Sequence, residues 1–149
     1  MVEDVDLAMS SLIASGQVHV HRHDNSVTID ISSDILFSSG AAQLQPKASG
    51  VLLQLANALK PFPNAIRVAG HTDNRPINTA AFPSNWELST ARAASVVHLF
   101  MDHGLTPQRM SVLGYGEYRP IMPNTNDAGR NANRRVEVTI MGRDTPADQ

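Results

Sequence analysis

The chain has 149 residues and a mass of 16.1 kDa, which suits one domain with at most a short appendage. Its 14 acidic and 12 basic side chains leave a formal net charge of -2, which argues against non-specific nucleic-acid binding because that needs a basic surface. Since the chain has no cysteine, disulfides, thiolate zinc sites and a cysteine nucleophile are excluded.

The N-terminal part predicts a helix followed by a hairpin. Apolar residues at helical spacing after an acidic first turn predict a helix over residues 3–15, which Gly16 ends. Alternating apolar and polar residues predict strands over Gln17–His23 and Ser26–Ser32, and residues 34–37 extend this strand region.

The rest of the chain alternates helices with strands. Ser84 and Glu87 predict a capping box at a helix start, in which the Ser84 hydroxyl accepts the Glu87 backbone N–H and the Glu87 side chain reaches back. These elements predict an α/β sandwich, with two main helices over a mixed sheet of about four strands. In chain order they are a helix from Pro46 to Leu59, a strand at 66–70, a helix from Ser84 to about His103, a strand at 110–113, a loop at 117–133 and a strand at 135–141.

A polar segment follows the strand at residues 66–70, where α/β proteins place ligand-binding loops. Asp73 puts an anion at this end of the sheet, and Thr72 and Asn74 add hydrogen-bonding groups. Taken alone, the segment is explained more simply by a polar turn in which Asp73 or Asn74 bonds its own backbone.

Asn85, Ser89 and Arg92 lie on one face of the second long helix, because their offsets are four and three residues. With Asp73, Arg92 would form a site of both charges that suits a zwitterion, since arginine binds a carboxylate and aspartate an ammonium. A direct Asp73–Arg92 ion pair without any ligand fits the spacing equally well.

Three further patterns carry little functional weight. The segment Arg130–Arg135 could bind a phosphate or carboxylate, although a solvated basic loop is the simpler interpretation. His19, His21 and His23 share one strand face, but three ligands from one flat strand suit tetrahedral zinc poorly, so we predict no metal site. Nucleophile-elbow, phosphate-loop and dinucleotide motifs are missing, so no enzyme activity and no cofactor are predicted.

Several separated motifs together resemble the OmpA-like peptidoglycan-binding domain, with matching order and spacing from about residue 36 to 140. Some of them resemble a narrower group, the B subunit of flagellar stators of the MotB/MotD type. The family motifs are Gly70–Asn74, Asn85–Ala93, Gly114–Gly116 and Asn133–Val136, and the narrower ones are Arg75–Pro76, Ser84–Ser89 and Tyr115–Pro120.

The resemblance implies a βαβαβ-type two-layer sandwich and non-catalytic binding of the diaminopimelate residue of the peptidoglycan stem peptide. Asp73 would take the ammonium of that residue, and Arg92 would take its carboxylate. Arg134 would support the pocket or touch the peptide. Hydrogen bonds would come from Asn85, Thr72 and Asn74.

The resemblance also implies a division of the chain and a set of partners. Residues 1–33 would be a periplasmic linker with the N-terminal helix, residues 34–142 the peptidoglycan-binding domain, and residues 143–149 a flexible tail. The partners would be peptidoglycan, a second copy of the chain, and a channel-forming stator A subunit reached through a membrane segment outside this chain. Flagellar ring proteins are compatible further partners.

Anchoring a flagellar stator to the cell wall is the leading interpretation, which makes the chain a periplasmic domain of a bacterial inner-membrane protein. The acidic N-terminus alone lacks the features of a secretory signal and indicates the cytoplasm. A general outer-membrane or secretion-system anchor is the main alternative. A hydrolase acting through His71 and Asp73, and zinc-linked regulation through the three strand histidines, are the others.

Overall fold

The computed structural model describes residues 6, 7 and 9–142. Helices and strands alternate along most of this range, as the sequence predicts. The elements are α1 (Ser10–Ala14), β1 (Val18–His23), β2 (Ser26–Ser32), α2 (Ser33–Leu36), α3 (Ala48–Leu59), β3 (Ile66–His71), α4 (Asn85–Asp102), a 3-10 turn (Pro107–Arg109), β4 (Met110–Gly114), α5 (Asp127–Asn133) and β5 (Arg135–Met141).

Across the described residues the strands form one five-stranded sheet in the order β1-β2-β5-β3-β4. Strands β3 and β4 are parallel, and the other neighbours are antiparallel. The central strand β5 places Val138 opposite Ile29 of β2 and Val68 of β3. The predicted mixed α/β sandwich is confirmed. The sheet has one strand more than the predicted four, because the hairpin of β1 and β2 joins it along β5.

The core lies between one face of this sheet and the helices α3 and α4. Alternate residues of β2 and β5 point into it, as the period of a half-buried strand requires. On α3 the apolar residues at helical spacing, Ala48, Leu52, Leu55 and Leu59, are buried and Val51 is half-buried, and Phe100 of α4 is fully buried in the same core. Each such leucine contributes about 1.5–3 kcal/mol relative to an exposed one.

The predicted N-terminal helix is helical over Ser10–Ala14, while residues 1–5 and 8 lie outside the described range. Met9 is fully buried in the core, and Leu12 and Ile13 pack against it. Gly16, at φ +80°, ends the turn as predicted. The described part of this helix therefore packs on the domain itself.

Two segments that were not predicted as helices contain short helices. Residues 34–36 do not continue the strand region, because the Ser32 hydroxyl accepts the Asp34 N–H (3.3 Å) and starts α2, whereas Phe37 is extended and forms an isolated β-bridge with Leu44. The predicted loop at 117–133 contains α5, which Asn126 caps by accepting the Gly129 N–H (2.7 Å). Asn is a preferred N-cap residue, so Asn126 is a sequence signal for the start of α5.

The capping box at α4 is also arranged differently from the prediction. The Ser84 hydroxyl accepts the N–H of Trp86 (3.1 Å) rather than that of Glu87. It donates its own hydrogen to the Glu87 carboxylate (2.5 Å). The two side chains still fix the start of the helix at Asn85, which matters for the site described below.

A charged cluster lies on the face of the sheet turned away from α3 and α4. Asp30 and Glu137 are direct partners across β2 and β5. His21 Nε2 lies 2.9 Å from Asp30, and His71 Nε2 lies 2.7 Å from Glu137. Burial, and then the charge of Glu137, raise the pKa of Asp30. Burial opposes ionisation of Glu137 too, but the hydrogen bonds and charges of His71 and Arg135 together outweigh it and lower the pKa of Glu137.

Replacing Asp30 with asparagine is expected to raise the free energy of unfolding at pH 7 by about 1 kcal/mol. One carboxylate oxygen, Oδ1, is buried without a hydrogen-bond partner in the described chain, and an amide keeps an acceptor for His21 without a second anion beside Glu137. Because the folded-state pKa of Asp30 is raised, the penalty is complete above that pKa and is relieved as the pH falls towards 3.8.

Urea unfolding of the two proteins between pH 3 and 8 measures this difference, which should shrink on acidification. Asp24→Asn, in the exposed turn between β1 and β2, removes the same charge and should stay within about 0.5 kcal/mol of the parent. A less stable Asp30→Asn protein at pH 7 would show that the carboxylate stabilises the cluster.

Candidate functional site

A cavity of about 680 Å³ lies beside the carboxyl end of β3. It is bounded by the segment after β2, by the loop after β3, and by the first two turns of α4. Five of the six site residues predicted from the sequence line it, namely Thr72, Asp73, Asn85, Arg92 and Arg134. The sixth, Asn74, is exposed and does not line it.

Close contact between α4 and the sheet sets the position of the cavity. A Cβ atom on Gly70 of β3 would lie 2.1 Å from the backbone oxygen of Ser89, and one on Gly114 of β4 would lie 1.9 Å from the Thr90 hydroxyl. These two glycines let the helix lie directly on the strand ends. Asn85 and Arg92, seven residues apart on that helix, are consequently both buried beside the loop after β3.

The loop after β3 is held by its own polar groups. Thr72 donates its N–H to Gly116 (2.9 Å) and its hydroxyl to the Asp73 carbonyl (2.8 Å). The Asp73 Oδ1 atom accepts the Arg75 N–H (3.0 Å), and Asn85 donates to the Arg75 carbonyl (3.1 Å). The simple polar turn considered for this segment is therefore present, and it uses only one of the two Asp73 carboxylate oxygens.

Arg134 occupies the second Asp73 oxygen. Its Nη1 lies 2.7 Å from Asp73 Oδ2, while Nε and Nη2 contact both oxygens of Asp34 at 3.2 and 3.1 Å. Hydrogen bonds from Asp34 and, after the opposing effect of burial, from Asp73 raise the pKa of Arg134. This guanidinium therefore fixes two carboxylates at the edge of the cavity.

Arg92 is bound to backbone carbonyls rather than to a carboxylate. Its Nε donates to Ala41 (2.8 Å) and its Nη2 to Ser38 (3.2 Å), and its Cζ lies 5.1 Å from the centre of the Phe37 ring. Burial lowers the pKa of Arg92, with Asp34 acting in the opposite direction. Within residues 9–142 no carboxylate lies within ion-pair distance of it, so the direct Asp73–Arg92 pair is not formed.

The hydrogen-bonding capacity of Arg92 is only partly used. A guanidinium has five N–H donors, and the two carbonyls take one from Nε and one from Nη2. The Nη1 end and the second Nη2 hydrogen remain for a ligand in the cavity. Three arginines and two aspartates line this space, so it can bind a group that carries both charges.

The residues of the basic segment Arg130–Arg135 have different roles. Arg134 lines the cavity, whereas Arg130 pairs with Asp127 on α5. Asn133 is fully buried, and its oxygen accepts the N–H groups of Ile121 (2.8 Å) and Met122 (3.0 Å). Most of the segment therefore supports the backbone rather than forming an anion site.

Asp34 and the loop over residues 37–40 also line the cavity, and neither was predicted from the sequence. Asp34 lies two residues after the end of β2, Arg134 directly precedes β5, and the register of these strands pairs Ser32 with Arg135. Antiparallel pairing thus brings together two residues that are 100 positions apart. Only a prediction of strand order would have found this contact.

The structure gives no geometric support to the two remaining alternatives. His71 bonds Glu137 and stacks on Tyr115 at 5.1 Å, and it does not line the cavity with Asp73 as a hydrolase would need. In the described part of the chain, no group of three or more His, Cys, Asp or Glu side chains is placed to hold a metal ion. One of the strand histidines, His21, bonds Asp30 instead.

A two-layer α/β domain with a preformed cavity of both charges belongs to the class of ligand-binding modules. This chain belongs to the OmpA family, which matches over residues 36–134. Among the helices of the described range, none has the length and apolar character needed to span a membrane.

The proteins that this chain resembles include a motility protein and a component of a secretion system. Motility protein B of Bacillus subtilis (strain 168) is 37% identical over 130 residues, which cover 85% of this chain. The cell wall anchor of the T6SS from Pseudomonas aeruginosa has a TM-score of 0.87 and 34% identity, covering 93% of this chain and 97% of that one. The periplasmic domain of Helicobacter pylori MotB has a TM-score of 0.78 and 26% identity, and the match covers 85% of this chain and 80% of that one. The chain matches two proteins of B. subtilis, motility protein B and one other, and it spans only about half of their length, 49% and 52% respectively.

Proposed function

We propose that this domain binds peptidoglycan without catalysis and anchors a flagellar stator to the cell wall from the periplasm. The observation that carries the proposal is the cavity itself, in which buried Asp73 and Arg92 present opposite charges on fixed backbones. A diaminopimelate side chain ends in an ammonium and a carboxylate, which is the charge pattern that this cavity complements.

Each side chain has a separate task in this proposal. Asp73 and its neighbour Asp34 attract the ammonium, and Arg134 holds both carboxylates in place. Arg92 binds the ligand carboxylate through the donors that Ala41 and Ser38 leave free. Thr72 and Asn85 fix the loop that carries Asp73, and Asn74 is exposed beside it and available for hydrogen bonds to the peptide.

The stator role rests on the motility protein relative and on the motifs around Trp86 and Tyr118. It implies a homodimer, a channel-forming A subunit as partner and an inner-membrane anchor elsewhere in the protein. A second candidate, the cell-wall anchor of a type VI secretion system, is favoured by the TM-score of 0.87 to such an anchor. Deleting the gene separates them, since a stator subunit is needed for swimming and a secretion anchor for effector delivery.

Sedimentation with purified peptidoglycan tests the binding proposal. Asp73→Asn removes the charge that attracts the ammonium, and we expect at least a tenfold loss of affinity, because charge-assisted hydrogen bonds contribute about 1.5–3 kcal/mol. Asp102→Asn, at the far end of α4, is the matched control and should sediment like the parent. Equal sedimentation of Asp73→Asn and the parent would contradict the site.

A further inference from the structure

One surface feature of the domain has no role in the site described above. The rings of Trp86 and Tyr118 stack on each other, with centroids 5.0 Å apart and planes 24° from parallel. Their exposed fractions are 48% and 61%, although residues of this size usually contribute most when buried. Trp86 is the single tryptophan of a chain with only 5% aromatic residues.

The pair is mounted on rigid backbone. The Trp86 carbonyl accepts the hydroxyl hydrogens of Ser89 (3.1 Å) and Thr90 (2.8 Å). Ser89 in turn accepts the N–H of Gly116 (3.0 Å), whose φ of +60° turns the chain beneath the rings. A Cβ at Gly116 would lie 3.6 Å from both rings. Fixing the rings before a ligand arrives lowers the entropic cost of binding.

The pair is also contiguous with the cavity. Asn85, the residue before Trp86, lines the cavity, and so does Thr72, which donates its N–H to the Gly116 carbonyl. The first turn of α4 therefore carries a residue of each feature, and the loop after β4, which carries Tyr118, is hydrogen-bonded to the loop after β3. A ligand that extends out of the cavity on this side meets the rings.

We infer that the Trp86–Tyr118 pair is a binding subsite for a pyranose ring of the peptidoglycan glycan strand. The faces of aromatic rings are electron-rich, and a pyranose presents polarised C–H groups on one face and hydroxyls at its edge. Glu117 and Arg119 flank Tyr118 in the sequence, and the Arg119 guanidinium lies over the neighbouring Tyr115 ring, 4.5 Å from its centre, so charged groups of both signs belong to the same loop. This inference rests on the proposed function, since one peptidoglycan fragment would fill the cavity with its peptide and the rings with its sugar.

A protein partner fits the same pair less well. Specific protein interfaces bury about 1,200–2,000 Å² in total, which is more than the two rings provide even with Ile121 and Met122, the other exposed apolar side chains of the same loop. Glu87, Glu117 and Arg119 interrupt that area in sequence. A sugar ring, by contrast, matches the size of one stacked face.

Calorimetry with two probes tests the inference: a disaccharide–stem peptide and the same peptide freed of its sugars. The parent should bind the sugar-bearing probe about twofold to tenfold more tightly, the range expected for one aromatic contact. Tyr118→Ala should abolish this preference and leave the affinity for the free peptide unchanged. Tyr118→Phe keeps the ring and should retain most of the preference.

The fluorescence of Trp86 gives a second, direct readout. Titration with the N-acetylated disaccharide alone should change the emission of this single tryptophan in the parent and not in Tyr118→Ala. Equal affinity of the parent for both probes, or an equal loss of both in Tyr118→Ala, would overturn the inference while the peptide site stands. Failure of the parent to bind either probe would instead overturn the proposed function and the inference with it. A Tyr118→Ala defect in cells without any change in sugar binding would assign the pair to a protein contact.

Discussion

Replacing Arg92 with lysine is expected to weaken peptidoglycan binding by about tenfold to a hundredfold. The side chain does two things at once, because Nε and Nη2 hold the carbonyls of Ala41 and Ser38 while the rest of the guanidinium faces the cavity. A lysine ammonium has three donors on one nitrogen and no planar fork, so it cannot do both. The loss corresponds to about 1.5–3 kcal/mol for a charge-assisted contact.

Arg109 is the matched control for this substitution. It uses the same chemistry at the opposite end of the sheet, where Nε donates to Asn64 (2.8 Å) and Nη1 to Leu59 (3.2 Å). Arg109→Lys should lower stability to a similar extent and leave binding unchanged. Sedimentation with peptidoglycan, combined with urea unfolding, separates the two effects. Parallel losses of binding in both variants would mean that Arg92 acts only through the fold.

Local rules in the sequence place Asp73, Asn85 and Arg92 near one another, although only the family resemblance points to a binding site there. Asp73 lies two residues after the end of a strand, and Asn85 and Arg92 lie seven residues apart on a helix with a recognisable cap. The partners of these residues follow no such rule. Arg92 bonds an irregular loop more than 50 positions earlier, and Arg134 meets Asp34 through strand pairing. Contacts set by strand order are non-local, and periodicity within one segment carries no information about them.

Short helices were missed for a different reason. In α5, the Asn126 cap competes in the sequence with Pro123 and Gly129, both of which favour a loop. The structure shows why Gly129 is there, since a Cβ at that position would lie 1.9 Å from the Pro123 carbonyl oxygen. A glycine that permits a close approach of two backbones therefore resembles a helix breaker when only the sequence is read. Tertiary packing decides between the two interpretations.

Placing alanine at Gly70 is expected to lower the free energy of unfolding by about 3 kcal/mol, the upper range for overpacking, and to lower Tm by about 10 °C. The new Cβ would lie 2.1 Å from the Ser89 oxygen and 2.8 Å from its carbonyl carbon. Both are backbone atoms of α4, so no side-chain rotation relieves the clash and the helix has to move. That movement also displaces Asn85 and Arg92, so the folded fraction should bind peptidoglycan weakly.

Gly50→Ala separates this clash from the general effect of adding a methyl group. Gly50 lies within α3, and a Cβ there meets no atom within 4 Å. Because alanine favours helices by about 1 kcal/mol over glycine, this variant should be more stable than the parent and bind equally well. Urea unfolding and calorimetric melting of both variants measure the opposite signs. If Gly70→Ala unfolds like the parent, α4 can be displaced from β3 at little cost, and the position of the site does not depend on that contact.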